Sequence, residues 1–575
     1  MQRSPRTGTV IVLVLVVIAI LTLAALTFSE LMLSERRGAD FSVRKTQVRL
    51  FAESGIEAVR MALLLDGDDK EDFGEFYDNP DQFCGVLVTD SLTDPRDVGR
   101  FSVLAPGLDE DGLFSDVRYG LLDESSKWNL RLVMEYETLQ PGTGRTLLTG
   151  LPGVDETIAD AVLDWLDEDD EPREYGYEHD YYESLDRPYS PRNGMVASIE
   201  ELLLVEGVTP GLLYGADWNQ NGMIDLAEPD GETIDEDYDN SDHRLDCGLI
   251  SLLTIDSKEA DTDSAVTSSG TGSTSRVYVN ADDLTSLQSE LNTALGNESY
   301  VNYILAYRLF GTTGILADSE ETATLPSSQG NTASSPPSSS QSSGSGQQNQ
   351  QTGNNQEGEQ NGTASNQLDL SQTPKARINS PFDLIGGALQ VQYSGQTATA
   401  TLPSPFTEDL ESMAGYLPTL IQTLKFSENA ASARININEA SRGVLQAIPG
   451  MTDDALEAVL TNRLPDPIDA EETEEMATYA WPILLELVDL DTMKKIGPFL
   501  SQPGTVKSAQ IVGRFDSRSP VARLKVLFDT SEQPAKILRV TDLSDLGPGY
   551  SPDLLGVYED SPSIFSTGIA VTENR

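Results

Sequence analysis

Twelve residues beginning at Asp217 carry oxygen-bearing side chains at a spacing suited to a hard cation. Asp217, Asn219 and Asn221 stand at positions 1, 3 and 5, Gly222 at the sharp turn, and Met223 where a carbonyl is needed. Asp225 follows at position 9 and Glu228 at position 12, where a carboxylate can bind through both oxygens. Ca²⁺ takes roughly six to eight oxygens, and this pattern wraps them round one point. Ile224 is expected to pack inward. Pro229 follows at once, so a single structural ion is expected rather than a paired sensor.

A second acidic group offers another site. Asp164 and Asp167 share a helix face, Asp169 follows, and Glu178 or Asp180 can close the site from a loop. The run Asp235 to Asp239 reads as a solvated loop.

Other chemistry is poorly supplied. With two His and two Cys, His₃, Cys₄ and Cys₂His₂ zinc sites are excluded within one chain. His179 and His243 sit among acids, away from any Ser or Cys nucleophile. No phosphate loop, nucleophile elbow or HExxH pattern occurs, so no enzyme is expected. Cys84 and Cys247 allow one disulfide at most. Three turns resemble helix-hairpin-helix elements: Leu151-Pro152-Gly153-Val154, Val205 to Pro210, and Ile448-Pro449-Gly450-Met451. The first two lie in acidic surroundings that repel phosphate, which favours a structural role. Lys507, Arg514, Arg518, Arg523 and Lys525 are expected on the polar face of a C-terminal hairpin, or on a face that docks an acidic neighbour.

The elements that position these groups follow from patterning. The 575 residues exceed one core, since cores stop growing at roughly 250–300 residues. Net charge is −55, which argues against nucleic acid and anionic lipid as partners. Between Asp155 and Asp242, 27 acidic residues face three Arg, so much of the excess sits there. Thr9 to Phe28 is twenty residues without charge, enough to cross a hydrocarbon layer of ~30 Å. Arg3 and Arg6 precede it and hold that end in the cytoplasm, with the bulk of the chain outside. Ser29 to Leu65 lacks proline and repeats apolar residues at helical spacing (Phe41, Val48, Phe51, Ile56, Val59, Leu63), so one helix spans 9–65.

Residues 66–150 read as strands of a small antiparallel sheet, among them Leu130 to Tyr136, and 151–255 as an acidic helical domain. A linker at 256–275 leads to a small helical unit at 276–316. Residues 317–375 form a Ser/Gln/Asn-rich linker. From Pro326 to Gln367 it has no aromatic, Leu, Ile, Val or Met, too little apolar area to offset ordering entropy. A second α-rich domain is expected at 376–500 and a β-rich region at 501–575, giving an α+β class. One motif recurs ahead of helical units, as Val277-Tyr278-Val279-Asn280 and Ile435-Asn436-Ile437-Asn438.

This layout resembles the type IV pilin-like proteins, and within them the minor pseudopilin K of type II secretion systems. The resemblance rests on Arg6-Thr7-Gly8 before Thr9-Val10-Ile11-Val12-Leu13, and on Asp123-Glu124 with Lys127 and Asn129-Leu130. It also rests on Asp164-Trp165 with Asp167, Asp169-Asp170, Glu178, Asp180 and Tyr181-Tyr182. It implies a leader of residues 1–8, cleavage between Gly8 and Thr9 by prepilin peptidase, and a SAM-like helical insert that binds calcium. Leu13, fifth from Thr9, stands where most pilins carry Glu, as that subfamily has it. It further implies an inner-membrane, single-pass subunit at the tip of a periplasmic pseudopilus, beside other minor pseudopilins and the major one. A membrane-anchored calcium protein without a filament, or a DNA-uptake pseudopilin, are the other readings.

Overall fold

The computed structural model describes residues 7–65, 67–90, 97–223, 245, 247–259, 276–311, 367–396, 398–427, 433–464, 478–516 and 520–556. Asp225, Glu228, the run 235–239, His243, Arg518 and most of both linkers lie outside them.

Helix α1 runs Thr7–Ala62, 56 residues, as the proline-free pattern requires. At 1.5 Å per residue it is ~84 Å long. Its apolar first part is exposed, and among the described residues it is the one helix long and apolar enough to cross a membrane. Further along, Val48, Phe51, Ala52, Ile56 and Val59 recur at helical spacing and are buried against a sheet. Phe41, expected in the same pattern, is exposed.

That sheet begins with β1 (Val86–Thr89), β2 (Gly99–Leu108), β3 (Phe114–Arg118) and β4 (Leu122–Asp123). After β4 the chain makes three excursions on one plan, each leaving on a two-residue strand and returning on a parallel one. The first leaves on β5 (Trp128–Asn129) and returns on β6 (Leu253–Thr254). The second leaves on β7 (Val277–Tyr278), contains a hairpin of β8 (Ala388–Gln392) and β9 (Thr399–Pro403), and returns on β10 (Leu424–Lys425). The third runs from β11 (Ile435–Asn436) to β12 (Leu500–Ser501). The motif that recurs in the sequence marks the second and third departures. Trp128-Asn129 is a further copy.

The chain then re-enters the sheet as β13 (Val506–Phe515), β14 (Ala522–Asp529) and β15 (Lys536–Asp542). The order is β1-β2-β13-β14-β15, with β3 beside β2 and β4 beside β13, all antiparallel. Ile511 pairs with Val103 on one side and Leu524 on the other. Glycine permits the helix to approach: a Cβ on Gly513 would lie 2.1 Å from the Val48 carbonyl oxygen. A Cβ on Gly55 would lie 2.6 Å from the Ile511 side chain.

Three expectations change. Residues 501–575 are not a separate β region, because β13 and β14 share the sheet, and the α1 core, with β2. Residues 376–500 are divided: the chain forms two compact units, Thr274–Glu428 and the remainder. Leu130 to Tyr136 is helical, within Leu130–Leu139, because the Asn129 side chain caps it by accepting from the Arg131 amide at 2.9 Å.

Within Thr274–Glu428, Asn280 Nδ2 donates to the carbonyls of Ile378 and Phe426, at 2.8 and 3.1 Å. The buried Arg308 guanidinium donates to the Asn280 and Ala281 carbonyls. These bonds fasten residues 276–311 to the later segment.

In the other unit, a buried polar junction joins the root of the first excursion to that of the third. Asp123 accepts from Ser125 N at 2.9 Å, Gly504 N at 2.8 Å and Asn436 Nδ2 at 2.9 Å, and pairs with Lys507 at 3.2 Å. Glu124 pairs with Lys127 at 3.0 Å and accepts from Ser508 Oγ and Thr254 Oγ1. Burial pushes the Glu124 carboxyl up, but Lys127, Lys525 and the two hydroxyls outweigh it and hold the group at about 2. Glu439 accepts from Asp123 N at 3.1 Å and faces Arg118.

Glu124 is thus more acidic folded than unfolded. Its stabilisation is complete above the ordinary carboxyl range and is lost as pH falls toward 2. At near-neutral pH, Glu124→Gln should lower unfolding free energy by about 3 kcal/mol, and the gap should close between pH 4.5 and 2.5. Denaturant midpoints across that range check this. A gap independent of pH would contradict it.

Candidate metal centre

Helix Glu156–Leu166 is capped by Asp155, whose side chain accepts from Ile158 N at 2.8 Å. Asp160 and Asp164 lie one turn apart on it and both are fully buried. The chain after Asp167 folds back over this face. Arg145 grips Asp160 through two bonds of 2.7 and 2.5 Å, and Tyr175 N donates to the same carboxylate. Arg173 N donates to Asp164 at 3.2 Å, and its Nη1 lies 2.6 Å from Asp164 and 2.5 Å from Asp167. Gly176 passes so close that a Cβ there would sit 1.7 Å from Asp164 Oδ2. Trp165 meets Tyr182 edge-on, with ring centroids 5.3 Å apart. That contact seats the short helix His179–Glu183 and, at its cap, Glu178.

The result brings Asp164, Asp167 and Glu178 together, with ligand oxygens all within 4.8 Å of one another. Glu178 is 5% exposed, and neither of its carboxylate oxygens meets a hydrogen-bond donor. Asp167 Oδ1 also lacks one. Burial, then the charges of Asp164 and Asp167, pushes Glu178 up to about 8. Burial raises Asp164 and Asp167 too, against the pull of Arg173. A buried carboxylate with no donor is costly unless a proton or a cation meets it. An all-oxygen donor set suits a hard divalent ion such as Ca²⁺. Asp169 and Asp180, expected in the same site, are exposed and stand outside the cluster. Asp169 instead accepts from Glu171 N in its own turn.

The first half of the loop that begins at Asp217 curls round that carboxylate. Asp217 is buried and accepts from the amides of Asn221 and Gly222, both at 2.9 Å, while Asn221 Oδ1 accepts from Met223 N. Gly222 has φ +78°, the turn the spacing demands. Burial raises Asp217, opposed by these amides. The half-loop also docks on the sheet, where Arg523 Nη2 donates to the carbonyls of Asn219 and Gln220 at 2.9 and 3.1 Å.

The basic residues of the C-terminal hairpin therefore face inward, contrary to expectation. Arg523 and Arg514 are buried, Lys507 pairs with Asp123, and Lys525 is brought down to about 8 by burial and by Lys127. Their charge is used against the chain's own loop and buried acids. Cys84 and Cys247 are not bridged. Cys84 faces the Leu554 carbonyl, while Cys247 forms a backbone bridge with Gly215. His179 lies 3.7 Å from Glu183 and away from the cluster.

The three expected helical turns share one backbone plan. Gly153, Gly207 and Gly450 have φ of +74°, +84° and +87°. Asp155, Thr209 and Thr452 cap the helices that follow. Gly153 packs on Leu212 and Gly207 on Ile158, each three residues beyond the other turn's cap. That reciprocity holds helix Glu156–Leu166, and so the carboxylate cluster, in place.

Sequence reasoning named all three clustered carboxylates but missed Arg173 and Gly176. Arg173 had a signal, as the lone Lys or Arg between Asp155 and Asp186.

Residues 131–214, which contain the whole cluster, match the family model for type II secretion system (T2SS), protein K. Among solved structures, a chain of the GspK-GspI-GspJ complex from the type 2 secretion system of enterotoxigenic Escherichia coli is similar. It shares 10% identity, covering 89% of this chain and 98% of that one, with a TM-score of 0.32. No curated protein matches the sequence.

Gly176→Ala should force Asp164 out of place and lower stability by about 2 kcal/mol. Gly194→Ala, whose Cβ would meet nothing closer than 4.0 Å, should be neutral. Thermal unfolding of both variants checks this, and equal melting would contradict it.

Proposed function

We infer that this chain is a minor pseudopilin, protein K, of a type II secretion system, and that its work is structural rather than catalytic. The observation that carries the reading is the protein K match at residues 131–214, on a chain that opens with a 56-residue helix. The apolar part of α1 anchors the subunit in the inner membrane, as a single pass, before assembly. Prepilin peptidase cuts between Gly8 and Thr9, and the bulk of the chain lies in the periplasm.

A place at the filament tip follows from two features. In pilin-like filaments the fifth mature residue is usually a Glu that meets the N-terminal amine of the subunit above it, and a tip subunit has none above. Leu13 offers no carboxylate. The head beyond α1 is also large, and a bulky head is hard to bury midway along a filament. Other minor pseudopilins, and the major one below them, are the partners.

Calcium is the ion the centre would hold. Asp164, Asp167 and Glu178 would bind it, and its charge would offset carboxylates that otherwise repel. Helix Glu156–Leu166 and its C-cap residue Asp167 supply two of these groups, and the fold-back loop brings the third to meet them. A second ion belongs to the loop from Asp217 to Glu228.

The outward face of α1 supplies the test. Val43, Leu50 and Met61 fall on one face, and each is more than half exposed. A photo-crosslinker placed at Leu50 or Met61 in secreting cells should capture other minor pseudopilins and no second copy of this chain. Adducts between two copies would contradict the tip position.

A further inference from the structure

We propose that Arg173 is a resident counter-cation of the carboxylate cluster, displaced onto Glu137 when the metal ion enters. This rests on the metal reading above and assigns a residue that tunes affinity.

Arg173 Nη1 stands between Asp164 Oδ1 and Asp167 Oδ2 at 2.6 and 2.5 Å. Calcium holds its oxygens at roughly 2.3–2.6 Å, so ion and guanidinium compete for one gap. Arginine stays protonated at any ordinary pH, so the cluster cannot discharge it by releasing a proton. The side chain must move.

The structure supplies a place for it. Arg173 Nη2 already lies 3.9 Å from Glu137 Oε1, on the neighbouring helix Leu130–Leu139. Glu137 is held by the amides of Gly142 and Gly144, which donate to it at 3.0 and 2.8 Å. Its carboxylate is therefore a fixed acceptor, and the Arg173 side chain, 22% exposed, has room to turn toward it. Without the ion, Arg173 compensates Asp164 and Asp167 and keeps the fold-back loop on the helix. Glu178, which meets no donor, is the ligand left open. Ion uptake is then an exchange of one cation for another, weaker than binding to an empty carboxylate cage.

Exchange predicts opposite effects at two positions, which a merely structural role does not. Calorimetric titration of the full-length, detergent-extracted chain with CaCl₂ reads both. Arg173→Met should bind calcium about tenfold more tightly at the cluster, since a competing positive charge is gone. Glu137→Gln should bind it severalfold more weakly, since the displaced guanidinium loses its acceptor charge. Asp164→Asn marks the cluster's share of the heat. Unchanged or weaker binding by Arg173→Met, or unchanged binding by Glu137→Gln, would overturn the exchange. If the wild type titrates like Asp164→Asn, the cluster binds no calcium and the metal reading itself fails.

Discussion

Two neighbouring carboxylates at the root of the insert, Asp123 and Glu124, carry the constraint on which the remaining structure depends. The sheet that seats α1 is interrupted after β4 and resumes only at β13, with Lys507 directly opposite Asp123. Holding the ends of so long an excursion together costs loop-closure entropy, although that cost grows slowly with length. The junction answers it with bonds that converge from both ends of the insert. Asp123 collects Ser125, Asn436, Gly504 and Lys507, while Glu124 collects Lys127, Thr254 and Ser508. A buried carboxylate left short of donors would be costly, so the network is specific as well as stabilising. Through Asn436 and Thr254 it also fixes where the third excursion begins and the first one ends.

Charge organises the next level. The acidic stretch from Asp155 to Asp242 carries few cations of its own, so repulsion is met by these few and by others from outside it. Arg145 and Arg173 meet it inside the helical region, at Asp160 and at Asp164 with Asp167. The sheet contributes Arg523, which clamps the carbonyls of the half-loop that starts at Asp217. Such inward-facing cations give the basic character of the C-terminal hairpin an internal use. What they leave uncovered is Glu178, whose carboxylate oxygens meet no donor.

Helix α1 was legible because its signals are local: no proline, a continuous apolar stretch, then a repeating face. The points where the second and third excursions depart could be seen in part, through the Asn-bearing motif at Val277 and Ile435. The pairing of β2 with β13 could not, since nothing near Val103 indicates a partner some four hundred residues away. Leu130 to Tyr136 fits either period, and the Asn129 cap decides for helix. At the cluster, Asp164 and Asp167 followed from helical spacing and Glu178 from a loop rich in acids. Asp169 and Asp180 were equally plausible on spacing alone. Only the fold-back of the loop, with Gly176 against Asp164, sorts the buried acid from the exposed ones.

A pilin-type subunit, as proposed above, would carry its long helix as the mature N-terminus. The mass and N-terminal sequence of the membrane-extracted protein test it most directly, with Gly8→Ala as the control. The expected result is a start at Thr9, carrying an N-methyl group, and loss of that processing in the variant. An intact Met1 in both proteins would make α1 an ordinary anchor and contradict the pseudopilin assignment.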